Sequence, residues 1–180
     1  MSEREVVVVR HDPCPWLPPG GRADVVLSAQ PAPEPTAVVR LLVTSGEDVW
    51  VVPRADGKGL DLPTARVTDG VAAARAGALD ALLATVPVGT TGLRPLGFVR
   101  NTVPDPPADY PWPAPVAHFA VWRGTVDRSA EPDGAARTGR DSQESDGRWL
   151  GPSAAAEALG ERHWWPLHRR AAPGSVISGA

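Results

Sequence analysis

An α/β architecture, in which a mixed sheet is covered by helices, is the fold class that this sequence predicts. Three observations lead there. Short apolar runs rich in β-branched residues recur along the chain. Two helical patterns fall far apart between them, near residues 68–85 and 152–160. The length, 180 residues, suits one domain with a sizeable core and leaves little for a second.

Val6 to Arg10 and Asp24 to Ser28 are short strand-like runs around the turn-rich segment PCPWLPPGGR. With the Pro-rich connector AQPAPEPT they make residues 1–35 an N-terminal extension with short strands, ahead of a main domain over 36–180. AVVRLLVT (37–44), the turn SGED and VWVVPR (49–54) read as a hairpin, and LDLPTARV follows ADGKG as an extended piece. From Thr68 to Thr85 the pattern becomes helical. Leu79, Leu82, Leu83 and Val86 form one apolar stripe, Thr68 or Asp69 is positioned to cap the start, and Pro87 ends the segment. Strands over 93–101 and 115–126 flank the Pro-rich loop PDPPADYPWPA. Residues 127–147 are polar with few apolar anchors, so a mobile loop is expected there. RWL (148–150) is strand-like, a helix follows over about 152–160, and ERHWWPLHRR opens a last helical or irregular segment.

Composition excludes several functions. A formal net charge of -3 supplies no electrostatic case for nucleic acid or for an anionic membrane surface. One cysteine, Cys14, excludes an internal disulfide and a thiolate zinc cluster. No stretch approaches the roughly 20 apolar residues of a membrane helix, and the N-terminal apolar run is too short for a signal-peptide core. A cytoplasmic location is the expectation that remains.

Residues 37–100 resemble the Nudix hydrolase family in the rhythm AVVRLLVTSGEDVWVVPRADGKGLDLPTARV. Downstream, LRPLGFVR, VAHFAVWRG and RWLGPSAAAEALGERHWWPL are similar to the later strands and terminal helix of those proteins. The resemblance implies a Nudix-type α/β/α sandwich with a mixed β-sheet. It also implies a loop–helix–loop motif, G-x5-E-x7-R-E-U-x-E-E-x-G-U, that would fall on residues 65–87. That motif is degenerate. Thr64 and Ala65 stand where the family has two glycines, Val71 replaces the first glutamate, and Leu79 replaces the arginine. Asp80 conservatively replaces one glutamate, while Leu83 and Ala84 replace the pair that binds the divalent metal in this family. Magnesium takes hard oxygen ligands, and positions 80, 83 and 84 converge on one helix face. With two of the three hydrocarbon, Asp80 alone cannot hold a metal cluster that activates water.

The candidate site residues follow from this comparison. Asp80 is the candidate metal ligand, and Asp80 with Glu144 in the polar loop would be the catalytic carboxylates of a hydrolase with relocated ligands. Arg54 and Arg66 flank the loop where family members approach phosphate, and Trp112 lies in a loop that borders the substrate cleft in this fold. Packing is the expectation for Trp50, Trp122 and the Trp164–Trp165 pair, a satisfied core histidine for His118, and a buried or loop residue for Cys14.

Three functional readings are open at this point. The first is a catalytically weak or inactive binder of a nucleotide-like or phosphorylated small molecule, with no cofactor expected. The second is a divalent-metal-dependent hydrolase of nucleoside-diphosphate-linked substrates, which would use Mg2+ or Mn2+. The third is a protein-interaction module built on the N-terminal extension and the Pro-rich loops. Function lives in the site, and the site is depleted of carboxylates.

Overall fold

The computed structural model describes residues 5–128 and 146–171. In chain order the elements are β1 (Val6–His11), β2 (Arg22–Leu27), β3 (Thr36–Ser45), β4 (Asp48–Pro53), β5 (Leu60–Asp61), β6 (Thr64–Arg66), α1 (Ala72–Leu83), β7 (Thr91–Thr102), β8 (Val116–Thr125), β9 (Arg148–Leu150), α2 (Pro152–Leu159) and α3 (Trp165–Ala171). The expected mobile loop falls almost wholly outside the described residues, as does Glu144.

The sheet runs β1-β2-β7-β8-β3-β4-β5, with β6 paired to β3 and β9 to β4. β3 and β8 are parallel and the other pairs are antiparallel, so the sheet is mixed. The segment ahead of residue 36 enters this sheet directly, because β2 pairs with β7 from Arg22↔Thr102 to Leu27↔Gly97. β3 is the central element. Nine of its ten residues are buried, and β6 borders its first half while β4 borders its end.

Alternation along β3 separates two cores. Val39, Leu41 and Val43 join Leu79, Leu82 and Val86 of the α1 region, with Phe98 and Ala120, on one face. Val38 and Leu42 join Ala155 and Leu159 of α2 with Trp164, Trp165 and Leu167 on the other. Helices therefore cover both faces of the mixed sheet, the layered α/β arrangement expected from the sequence.

α1 is shorter than the helical pattern. Asp69 has a φ of 63° and Gly70 one of 69°, and this left-handed turn puts the start of the helix beyond both proposed caps. The N-cap position is Val71, which offers no side-chain acceptor. Instead Glu34, from the Pro-rich connector, accepts the Ala72 N–H at 2.7 Å. Arg75 donates to the Ala32 carbonyl at 2.6 Å, so the connector is bound to the first turn of α1.

Two glycines give opposite expectations. A Cβ at Gly97, where φ is 155°, would run into the Val26 carbonyl oxygen on the neighbouring strand. Gly77 lies on the exposed side of α1 with open space where a Cβ would sit. Gly97→Ala should destabilise by about 1–3 kcal/mol or more, and Gly77→Ala should stabilise by about 0.5–1 kcal/mol. Urea denaturation of the two variants beside the parent checks both signs.

Candidate functional site

Arg40 is the anomaly in an otherwise apolar strand. It lies between Val39 and Leu41, and even spacing places it with Val38 and Leu42 on the α2–α3 face. Its exposure is 9%, and neither Nε nor Nη1 has a hydrogen-bond partner among the described residues. Burial pushes its pKa down, Asp61 opposes the shift, and Arg54 and Arg162 add to it. A guanidinium in this state is costly to bury and retains donors to offer.

Asp61, the last residue of β5, is the carboxylate around which the neighbouring cations gather. Its Oδ1 accepts the Leu62 N–H at 2.8 Å and the indole N–H of buried Trp164 at 3.0 Å. Arg54 and Arg162 approach its Oδ2 at 3.5 and 3.7 Å. Arg54 also grips Asp56 through two nitrogens, at 2.9 and 2.5 Å. Arg162 is fixed by donation to the Leu60 carbonyl at 2.8 Å. Three guanidiniums thus face two carboxylates, Asp56 and Asp61, leaving one positive charge in excess.

Aromatic rings line the flanks. Arg66 sits over the Trp112 ring at 4.3 Å, Trp112 meets Phe119 edge-on at 5.1 Å, and Arg40 lies 5.9 Å from the Phe119 centroid. On the other side His163 stacks on Trp16 at 5.6 Å, and Trp16 meets His11 at 4.7 Å. Trp16 is 43% exposed, the one tryptophan among the exposed large hydrophobic side chains. The loop after β1 therefore reaches the α2–α3 connection and places an aromatic ring against His163, the neighbour of Arg162 in the chain.

Of the residues that the sequence singled out, Arg66 and Trp112 are in contact, and Arg54 belongs to the adjoining Asp61 cluster. Asp80 is elsewhere. It is exposed on α1, the helix that covers the opposite face, and has no ion-pair partner among the described residues. Leu79 and Leu82 are buried, while Leu83 is only half-buried and Ala84 is exposed, so the stripe expected to bury three leucines buries two fully. Among the described residues no group of three or more His, Cys, Asp or Glu side chains could hold a metal ion. Helix α1, with Asp80 as its acid, thus has a donor set that does not fit the divalent cation of the resembled family.

His118 is buried, with Nδ1 3.2 Å from the Pro35 carbonyl and its ring edge-on to Phe98 at 5.2 Å, which makes it a core histidine. Cys14 is buried, and burial pushes its thiol pKa up, away from nucleophile behaviour. Arg40, Asp61, Arg162, His163 and Trp16 were not singled out from the sequence. For Arg40 a signal existed: a charge inside the run AVVRLLVT, apolar on both sides, has to be buried. Nothing local marks the others, which converge from β5, the α2–α3 connection and the extension.

No protein-family model matches the chain, and no curated protein matches it. Among solved structures it is similar to a mutant of the pyrophosphohydrolase BsRppH of Bacillus subtilis, at 12% identity and a TM-score of 0.46. That alignment covers 73% of this chain and 72% of the other. No helix among the described residues is long and apolar enough to cross a membrane.

Two expectations come from this geometry. Leu82→Glu should destabilise by about 2–5 kcal/mol, whereas Leu83→Glu should cost about 1 kcal/mol or less; thermal melts of the pair test the difference. His118, His163 and His168 all have pKa values lowered, burial being the largest cause in each, His163 to about 3. The folded state then binds fewer protons than the unfolded chain below about pH 6.5. Stability should be full above that pH and should fall as pH drops toward 3. His163→Phe should flatten this decline, read from melting temperatures across pH 3.5–7.5.

Proposed function

We propose that the protein is a Nudix-like binder of a nucleotide-like or phosphorylated small molecule, with little or no catalytic activity. The single observation that carries this reading is the buried Arg40 guanidinium, in the field of Arg54 and Arg162, whose Nε and Nη1 have no hydrogen-bond partner among the described residues. A cation excess of this kind is costly without an anion, and arginine forks match phosphate oxygens without needing a metal. Trp112, held between Arg66 and Phe119, adds an aromatic border to the same face. The degenerate motif over residues 65–87 supports the catalytic half of the proposal, since α1 offers Asp80 where a hydrolase needs several carboxylates. With no cofactor expected, the ligand is held by arginine and aromatic contacts alone.

Calorimetry with pyrophosphate and ADP tests the binding half, and its outcome should be unchanged by chelator. Phosphate release from nucleoside triphosphates, nucleotide sugars and dinucleoside polyphosphates in magnesium or manganese should be absent. Arg40→Met should weaken pyrophosphate binding at least about tenfold while stabilising the fold by about 1–4 kcal/mol, because hydrocarbon replaces a buried charge that Asp61 offsets only in part. A destabilised Arg40→Met variant with undiminished binding would assign Arg40 to structure instead. Robust turnover lost in Asp80→Asn or Glu144→Gln would establish the metal-dependent hydrolase with relocated ligands, using Mg2+ or Mn2+.

A further inference from the structure

β1 is an edge that the fold leaves open. It stands at the end of the sheet order, is paired to β2 on one side, and among the described residues has no strand on the other. Its sequence, VVVVRH, runs four valines in succession, and no proline or lysine interrupts it. Val6 and Val7 are exposed at 50% and 45%. An outer row of backbone donors and acceptors bordered by exposed valine is a template for strand addition.

The charges at the two ends of the strand decide what can be added. Val7 faces Val26 and Val9 faces Val25, so Val8 is an extra residue, a β-bulge. In a regular strand Glu5 and Arg10, an odd number of positions apart, would point to opposite faces. The bulge brings both to one face. There Arg10 donates to Asp24 at 2.6 Å, Glu5 accepts from Arg100 at 2.7 Å, and Asp24 and Arg100 are themselves register partners. Both side chains stay about half exposed, 54% for Arg10 and 45% for Glu5. The open edge thus carries an acid at its start and a base near its end, on the same face, with valines between.

We propose that β1 pairs with β1 of a second copy of this chain, antiparallel about a two-fold axis, so that the two sheets join edge to edge. Glu5 then lies opposite Arg10 of the second copy, Val6 opposite Val9, and Val7 opposite Val8, and the two-fold makes each relation occur twice. Opposite residues of an antiparallel pair share a face, so both acid–base pairs form on the face where the bulge has put them. Aligning the two strands in parallel would instead set Glu5 against Glu5 and Arg10 against Arg10, which like-charge repulsion disfavours. The edge is therefore complementary to itself in one orientation only. A single strand edge offers less than the roughly 1,200 Å² of a standard stable interface, so the dimer is weak and forms at high protein concentration.

Sedimentation velocity of the full chain, from about 10 μM to about 1 mM, should show a dimer fraction that rises with concentration. Val7→Lys puts two cations close to the two-fold axis and should weaken dimerisation at least about tenfold, whereas Val7→Thr keeps strand propensity and should stay within about threefold of the parent. Glu5→Gln removes both acid–base pairs and should weaken dimerisation by about twofold to tenfold. In a mixed sample of labelled and unlabelled protein, isotope-filtered NMR should connect the Val6 methyls of one copy with the Val9 methyls of the other. A parent that stays monomeric across the range would overturn the proposal. So would a dimer undiminished by Val7→Lys, or one without the Val6–Val9 contact. A monomeric parent that binds added EVVVVRH peptide would make the edge an acceptor of other strands and overturn the self-pairing. If Val7→Lys fails to fold, as a thermal melt would show, Val6→Lys on the more exposed neighbour takes its place.

Discussion

A guanidinium buried in the middle of the central strand has to be held by charges that the strand itself cannot supply. Asp61 is the carboxylate that the fold places near Arg40, and it is already engaged by Arg54, Arg162, Trp164 and the Leu62 amide. The cluster therefore balances only in part. Coulomb attraction offsets some of the desolvation cost, and the uncompensated remainder is the property that a bound anion would relieve. The positions of β5 and the α2–α3 connection both serve this one arrangement.

The two faces of the sheet have taken different courses. On the α1 face, Leu79 and Leu82 pack against Val39, Leu41 and Val43 in a dry core, and the surface that remains offers Asp80 to solvent. On the α2–α3 face, buried aromatic rings and arginines sit side by side, with Phe119 and Trp112 linking Arg40 to Arg66. Polar chemistry is thus concentrated where the helices are shortest and the cover comes from loops. Loops carry function because rigid strands hold their ends while their side chains stay free to meet a ligand.

Glu34 illustrates how local rules were overridden. The sequence places a threonine and an aspartate just before the helical pattern, which are the residue types that cap helices. The backbone turns left-handed at Asp69 and Gly70, and the first helical N–H is met by a carboxylate 38 residues earlier in the chain. A cap is a requirement for an acceptor in one place, and tertiary structure is free to bring that acceptor from anywhere.

Much of the fold was legible in the sequence. β1 to β4, β7 to β9, α1 and α2 follow from alternation, apolar runs and a leucine stripe, because those periodicities reflect which face each residue must bury, while β5 with β6 read only as one extended piece and α3 as a helical or irregular segment. The scarcity of carboxylates over residues 65–87, where Asp69 and Asp80 are the acids, was legible too, since ligand chemistry depends on residue type and spacing. The sequence alone could not pair β2 with β7, because register between distant strands is set by cores to which each strand contributes only a part, Val25 and Val99 in one and Val26 and Phe98 in the other. It pointed to Arg54, Arg66 and Trp112 but not to their relation. The Arg66–Trp112 contact and the Asp61 cluster exist only once β6, the Pro-rich loop and the α2–α3 connection are folded over one face. Electrostatic sites are built from distances in space, and those distances belong to the tertiary structure.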